Sequence, residues 1–307
     1  MTTANGAAKA PPARALPHVQ EKVMRAVFTA CACLSILAVA LICVFLFANG
    51  LPAIFEIGPL SFLLGTRWQP GNGWYGILPM ILGSVYVTAG ALAVGVPVGL
   101  LTALYLSRFA TARMQKLLMP AVQLLAGIPS VVYGFFGMMV LVPAIEPFAR
   151  QFGGKGQSLF TASLLLGIMI LPTVITVSKT ALDAVPQSYY EGSLALGATH
   201  ERSVFMAVLP AARSGVLAAV VLGVGRAIGE TMIVVMAAGL AANLTFNPLE
   251  AVTTVTVQIV TLLVGDQEFD SPKTLAAFAL GLVLFVATLV LNVVALHIVR
   301  KYREQYE

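Results

Sequence analysis

The sequence predicts an all-α membrane protein with six transmembrane helices, and three observations support this fold class. Of the 307 residues, 59% are hydrophobic and only 10% are charged. A soluble domain has about 25% charged residues. The mean hydropathy is +0.91, and lipid is the solvent in which so many apolar side chains can stay exposed. Finally, six apolar runs are each long enough to cross about 30 Å of hydrocarbon at about 1.5 Å per residue.

The apolar runs follow an N-terminal segment, 1–22, in which Ala, Pro and Gly predict a disordered tail. Lys22 precedes the first run and Arg25 lies at its start, and these two basic residues would also suit a signal peptide. That run is longer than a signal h-region of about 7–15 residues and no A-x-A site follows it, which favours an uncleaved helix. The six predicted spans are 24–47, 77–106, 117–142, 159–179, 214–240 and 276–299.

A seventh apolar stretch, 251–264, is too short to span a bilayer. It carries four threonines and a glutamine. We expect it to be re-entrant or to lie on the membrane surface.

Basic residues predict the orientation, because cytoplasmic loops are enriched in Lys and Arg. Six spans place both termini on one side. If the termini and the loops 107–116 and 179–213 are cytoplasmic, that side holds 13 of the 18 Lys and Arg residues and the opposite loops hold four. Trp68 and Trp74 flank the outer end of the second span as an aromatic belt would. The N-terminus is therefore predicted to lie inside.

Several function classes lack a sequence signature. Cys31, Cys33 and Cys43 all lie in the first run without a CxxC or Cys/His pattern, so buried free thiols are expected rather than a metal site or disulfide. No basic stripe interleaved with aromatic residues indicates nucleic-acid binding. No G-x4-GK[ST] nucleotide loop is present, since Lys155 is followed by Gly156. We therefore expect no ATPase, no metal and no cofactor in this chain.

The loop 180–213 carries the signature of a structured helix–Gly–helix element. A short helix is expected over Tyr189–Leu196, Gly197 breaks it, and a second helix could run to Val208, where Leu209-Pro210 ends it. An amphipathic linker on the membrane surface is one interpretation; a docking element for another protein is the other. The residues typical of a helix start are Asp183, Pro186 and Gln187.

The spacing of Glu191, Gly197 and Leu209-Pro210 is similar to the EAA-x3-G-x9-I-x-LP loop of ABC-importer permeases. That resemblance implies that the loop inserts into a groove on a separate ATPase subunit. The positions that depart from the motif are Gly192, Ser193 and Ala207.

Three further stretches resemble the phosphate ABC-transporter permease family PstC. They are "GWYGILPMILGSVYVT" (73–88), "LAGIPSVVYGFFGMMVL" (125–141) and "GRAIGETMIVVMAAG" (225–239). In the partner family PstA, Ala-Pro typically follows GET, whereas Met232 and Ile233 follow here. The likeness covers roughly residues 70 to 240.

The resemblance implies a type I, MetI-like permease domain over 23–303 in a bacterial inner membrane. It further implies a PstA-like second permease, a PstB-like ATPase dimer that binds ATP and Mg, and a PstS-like periplasmic phosphate-binding protein. A permease for another oxyanion or for phosphonate would share the loop. An ATPase-independent secondary transporter or channel is the alternative from a different class.

The fifth predicted span contains Arg226 and Glu230, four residues apart. On one helix they would share a face and reach each other. An unpaired charge at mid-bilayer costs at least about 2.5–3.5 kcal/mol. The pair could be a salt bridge that locks packing, or it could line an anion path. In the second case Arg226 offers phosphate a planar fork of donors, and Glu230 holds Arg226 while the path is empty. Thr231 is a further candidate for the path.

The third predicted span contains Gly127, Pro129 and Ser130. Pro129 removes one backbone hydrogen bond, which Ser130 or a neighbouring helix could replace. The sequence predicts a kink here that serves either packing or gating.

Overall fold

The structure, a computed structural model, describes residues 18–264 and 271–301. Helices dominate it, as predicted, with one small antiparallel hairpin. The helices are α1 (His18–Ile57), α2 (Pro59–Leu64), α3 (Leu78–Leu104), α4 (Ala112–Gly127), α5 (Ser130–Phe136), α6 (Val142–Gln151), α7 (Leu159–Asp183), α8 (Gln187–Ala195), α9 (His200–Ser203), α10 (Leu209–Ala211), α11 (Arg213–Ile228), α12 (Met232–Ala237), α13 (Val255–Leu263) and α14 (Pro272–Lys301). The strands are β1 (Trp68–Gln69) and β2 (Trp74–Tyr75).

Short π-helical segments extend or join several helices. Tyr105–Phe109 continues α3, Gly137–Leu141 joins α5 to α6, and Val204–Val208 joins α9 to α10. Of the predicted disordered tail, 1–22, residues 1–17 lie outside the described residues. Residues 18–22 belong to α1, so the prediction of disorder is wrong for them. The predicted domain end at 302–303 also lies outside the described residues.

The chain divides into two units after Ala48. The described part of the first unit is the α1 segment up to Ala48, and nearly all its apolar side chains are exposed. Cys31, Cys33 and Cys43 are free, as expected. The prediction that they are buried is wrong within this chain, because Cys31 and Cys33 are exposed and Cys43 is only half-buried. A helix that is apolar on every side, and whose side chains are not covered by the rest of the chain, is suited to contact with lipid.

Five helical segments of the described chain are long and apolar enough to cross a membrane, and a bent pair could supply a sixth. The bent pair is His200–Ala211 with Arg213–Ile228, which meet at 70°. The predicted number of six spans is therefore the upper limit of what the structure supports. The five continuous segments are Gln20–Ile57, Leu78–Phe109, Ser130–Gln151, Leu159–Asp183 and Pro272–Lys301.

Two predicted spans are wrong as continuous helices. The run 117–142 is divided at Ile128-Pro129, because proline donates no backbone hydrogen bond and disfavours helix in the preceding residue. The run 214–240 is divided at 229–231. Both divisions lie in the second unit, close to the residues predicted to line the path.

Helix α7 is the centre of the second unit, and α3 and α11 both pack along it. Glycines on α3 allow the backbones to approach closely. A Cβ built on Gly95 would lie 2.7 Å from side-chain atoms of Ile170, and one built on Gly99 would lie 2.8 Å from Cγ1 of Val174. Small residues at a helix contact are the usual means of close packing in membranes, where lipid supplies no hydrophobic driving force.

Helix α13 lies in the stretch 251–264 and has nine residues. Its first turns are buried against α3, α12 and α14. It is therefore too short to span, as predicted, and its burial argues against a surface position. The hairpin β1–β2 lies just before α3 and pairs Trp68 with Tyr75. Gly73 closes its turn with φ of +74°, which favours glycine.

Candidate functional site

Arg226 lies in the last turn of α11. Its Nη1 donates a hydrogen bond to Oγ1 of Thr173 on α7, at 3.1 Å, and the side chain is otherwise exposed in this chain. The C-terminal end of a helix carries partial negative charge, which favours a cation there. The guanidinium is thus held by a neutral hydroxyl and a helix end, with its remaining donors accessible.

Glu230 lies in the break between α11 and α12. Its Oε1 accepts hydrogen bonds from the backbone N–H groups of Met232, at 3.0 Å, and Ile233, at 3.4 Å. These groups belong to the first turn of α12 and have no partner within the helix. The carboxylate therefore caps α12, where the positive end of the helix dipole also favours a negative charge.

The predicted pairing of Arg226 with Glu230 is wrong for this structure. Across residues 18–264 and 271–301, the ion pairs with resolved partners join Glu21 to Arg25, Glu146 to Arg150 and Asp183 to Lys179, and none includes Arg226 or Glu230. The prediction assumed one continuous helix. Because α11 ends at Ile228, a spacing of four residues does not put the two side chains on one helical face.

A sequence signal for this break was present in "IGET". Glycine after the last apolar position is a common helix stop, and an acidic or hydroxyl residue is a common helix start. Thr231 occupies the N-cap position of α12 without a side-chain cap bond, since Glu230 supplies it. Thr173 was missed because a lone threonine within an apolar run carries no signal of its own.

The second break divides α4 from α5. Helix α4 ends at Gly127, Pro129 is the N-cap of α5, and Ser130 is its first residue. The carbonyl of Leu125 accepts a hydrogen bond from the Tyr133 hydroxyl at 2.9 Å, so a tyrosine, and not Ser130, crosses the break. The predicted kink is thus a complete break, and its use as a hinge stays a prediction.

The two breaks are neighbours because α5 packs against α12. A Cβ built on Gly134 of α5 would lie 3.0 Å from the carbonyl oxygen of Met232 and 2.8 Å from Sδ of Met236. Any shift of α12 therefore meets α5 directly. Arg226, Glu230 and the start of α5 belong to one region of broken helix.

The predicted helix–Gly–helix element is present and packs at the C-terminal ends of α3 and α7. Gly197 has φ of +87°, and it follows α8 in a Schellman motif. The Gly197 N–H donates to the carbonyl of Leu194 at 2.9 Å and the Ala198 N–H to that of Ser193 at 3.2 Å. The predicted helix break at Gly197 is confirmed.

Two details of this element differ from the prediction. Asp183 ends α7 and accepts a hydrogen bond from Ser107, so it does not start α8. Leu209 and Pro210 lie in the last turn of the second helix, because α9, the π-helical segment Val204–Val208 and α10 form one continuous helix, His200–Ala211, which ends one residue after Pro210 and not at Val208. The bend comes after Ala211.

An aromatic cluster fixes the element to α3. The Tyr190 hydroxyl lies 2.7 Å from Nδ1 of His200, and the His200 ring packs edge-on against Phe109 at 4.7 Å between ring centroids. The outer side is unpacked: Leu196 is 91% exposed and Met206 is 73% exposed.

Glu191 and Gly192 also lie on this exposed part of α8, and a Cβ on Gly192 would contact nothing. The element thus combines a fixed inner side with an open, partly apolar outer side. Such a surface suits contact with another protein.

Comparison with known proteins gives a consistent picture. The family described as "Binding-protein-dependent transport system inner membrane component" matches residues 95–304. A Bacillus subtilis protein named "Probable ABC transporter permease protein YqgH" is 39% identical over 266 residues, covering 85% of each chain. The phosphate transport system permease protein PstC of Mesorhizobium japonicum is 31% identical over 295 residues, covering 90% of this chain and 88% of the relative.

Solved structures support the predicted importer-permease fold. A chain of a bacterial ABC transporter that imports the acidic polysaccharide alginate superposes with a TM-score of 0.63 at 16% identity, covering 94% of this chain and all of the other. A chain of the inward-facing methionine ABC transporter MetNI superposes with a TM-score of 0.54 at 19% identity, covering 75% of this chain and 95% of the other.

The cap at Glu230 predicts a specific pattern of stability. Glu230→Ala removes the acceptor for two amides and should lower the free energy of unfolding by about 1 kcal/mol. Glu230→Gln keeps an acceptor oxygen and should lose less. The measurement is thermal unfolding of the purified protein in detergent.

Thr231→Ala is the matched control, because the Thr231 side chain makes no cap bond. It should unfold close to the wild-type temperature. Equal losses in Glu230→Ala and Thr231→Ala would contradict the assignment of the cap to Glu230.

Proposed function

This chain belongs to the family of binding-protein-dependent transport system inner membrane components, and we propose that it is the PstC-type permease of an ATP-driven phosphate importer. As a permease subunit it forms half of a path through the bacterial inner membrane. The similarity to the phosphate transport system permease protein PstC of Mesorhizobium japonicum supports phosphate as the substrate. The observation that carries the proposal is the exposed guanidinium of Arg226 beside a helix break.

Arg226 suits a site that binds an anion and then releases it. No described acidic side chain forms an ion pair with it, so its charge is available to phosphate. Thr173 is a neutral partner that an anion can displace, because phosphate can accept two parallel hydrogen bonds from the guanidinium on charged oxygens, whereas the hydroxyl accepts one on a neutral oxygen. The Thr173 hydroxyl would remain beside the bound phosphate and could donate a further hydrogen bond to it.

The expected role of Glu230 changes accordingly. Glu230 holds the first turn of α12 and leaves Arg226 free for the anion. Thr231 stays a candidate for the path because it lies in the same break and is partly exposed.

The element formed by α8, Gly197 and α9 is the proposed contact with the motor. In this proposal the exposed residues around Glu191, Gly192 and Leu196 dock on a PstB-like ATPase dimer, which binds the ATP and Mg that this chain does not. Leu209 and Pro210 connect that surface to α11 through the bend after Ala211. A movement of the ATPase thereby reaches the helix that carries Arg226.

The remaining assembly follows from the bias of basic residues. Both termini and the α8–α10 element face the cytoplasm, and the hairpin β1–β2 faces the periplasm, where a PstS-like binding protein delivers phosphate. A PstA-like second permease supplies the other half of the path. Exposure of Arg226 in the isolated chain supports this arrangement, since a charged group in a membrane needs a polar neighbour or a water-filled cavity.

Substitution of Arg226 tests the anion site. Arg226→Gln removes charge-assisted hydrogen bonds worth about 1.5–3 kcal/mol, so uptake of radiolabelled phosphate at limiting concentration should fall by about tenfold to a hundredfold. Arg226→Lys keeps the charge without the planar fork and should be intermediate. Uptake is measured in cells that lack their own phosphate importers, with membrane levels checked by immunoblot.

Thr173→Val and Thr180→Val give a matched pair on α7. Thr173→Val removes the hydroxyl beside Arg226 and should weaken uptake several-fold, since one hydrogen bond is worth about 1 kcal/mol. The Thr180 hydroxyl bonds only to its own helix, at the carbonyl of Thr176, and its loss should have little effect.

Normal phosphate uptake by Arg226→Gln at normal membrane levels would contradict the anion site.

Substitution of Gly197 tests the motor contact. Gly197→Ala puts a Cβ at φ of +87°, which costs about 1–2 kcal/mol and should open the Schellman motif. Co-purification of the ATPase should drop. Gly192→Ala adds the same methyl group to open space in α8 and should retain the ATPase. If both variants retain it equally, the turn at Gly197 does not govern docking.

A further inference from the structure

Helix α13 and the two residues before it carry buried hydrogen-bonding side chains that the proposed transport path does not use. Gln258 is 7% exposed, and Thr253 and Thr254 are 1% and 4% exposed. Burying a polar group in a membrane protein is costly unless it is hydrogen-bonded. Leucine or valine at these positions would avoid that cost. We therefore expect these buried polar side chains to have a role other than packing.

Gln258 joins α13 to the hairpin. Its Oε1 accepts a hydrogen bond from the indole Nε1 of Trp68 at 3.1 Å, and its Nε2 donates to Oγ1 of Thr253 at 3.2 Å. Trp68 also packs edge-on against Tyr75 across the hairpin. A displacement of β1 would therefore act on the Gln258 amide, which is hydrogen-bonded to Trp68 through its oxygen and to Thr253 through its nitrogen.

Thr256 joins the same helix to the break beside Arg226. Its Oγ1 donates to the backbone carbonyl of Glu230 at 3.1 Å and lies 3.0 Å from Oγ1 of Thr254. Thr254 is in turn the N-cap of α13 and accepts from the N–H of Val257. The hydroxyl groups at the start of α13 thus fix the backbone of the residue whose carboxylate caps α12.

The start of α13 is also in direct contact with α3. The N–H of Val255 donates to Oγ of Ser84 at 3.2 Å. A Cβ built on Gly83 would lie 2.1 Å from the carbonyl oxygen of Thr253, so the two backbones touch. Because α3 follows directly after β2, the hairpin, the start of α3 and α13 form one connected body.

We propose that Gln258 and Thr256 are positioning residues that couple the hairpin β1–β2 to the helix break at Glu230. This inference rests on the proposed function for its purpose: docking of the binding protein on the hairpin side is passed through α13 to the Glu230 backbone, and so to the setting of α12 beside Arg226. Neither side chain contacts the anion. Each acts through the backbone of the break.

Amide hydrogen exchange tests the coupling in the assembled transporter in nanodiscs. Thr256→Val and Gln258→Leu should both raise the exchange rate of the Met232 and Ile233 amides, which Glu230 caps, by about fivefold or more. Thr256→Ser keeps the hydroxyl and should restore slow exchange. Thr261→Val is the matched control, since the Thr261 hydroxyl bonds only within α13, to the carbonyl of Val257.

The same preparations give a second measurement, the ratio of ATPase activity with and without phosphate-loaded binding protein. That ratio should fall by about fivefold or more in Gln258→Leu and Thr256→Val. The double variant should be no worse than either single one, because residues acting in series are not additive. A merely structural role predicts lower yield or unfolding temperature with an unchanged ratio.

The two readouts separate the failure of the coupling from the failure of the proposed function. Wild-type exchange at Met232 and Ile233 in Gln258→Leu would overturn the coupling whatever the transported anion is. Additive losses in the double variant would also overturn it. A wild-type complex that ignores phosphate-loaded binding protein, with exchange still altered by Gln258→Leu, would reject phosphate import while leaving the coupling in place.

Discussion

The hydrogen bonds from the Met232 and Ile233 amides to the Glu230 carboxylate are the interaction on which the rest of the site depends. They stabilise a new helix start inside an apolar segment, where exposed amides would be costly. With α12 capped in this way, α11 can end at Ile228 and a new helix can begin at Met232. One oxygen of the carboxylate, Oε1, accepts both backbone amides, and the hydrogen-bond partner of Arg226 is a neutral side chain, Thr173.

This one break sets the positions of its neighbours. Helix α12 packs on α5 at Gly134, next to the division between α4 and α5, and the Glu230 carbonyl accepts from Thr256 of α13. Three short helices therefore meet here, and two of them, α5 and α12, were expected to be parts of the continuous spans 117–142 and 214–240.

Much of this architecture follows from local patterns. Apolar runs predict the long helices, and the turn at Gly197 follows from glycine's access to positive φ. The helix break at 229–231 was signalled by "IGET", but uniform hydrophobicity across 214–240 favoured one helix. The partners Thr173, Tyr133 and Trp68 are distant in sequence from the residues they contact. No local pattern predicts such contacts, because they depend on how α7, α5 and the hairpin pack.

A cryo-electron microscopy map of the assembled transporter with phosphate tests the central claim most directly. The account predicts anion density within hydrogen-bonding distance of the Arg226 guanidinium, on the side facing the second permease, with Glu230 still on the α12 amides. A salt bridge between Arg226 and Glu230, closed off from any cavity by packed side chains, would contradict it.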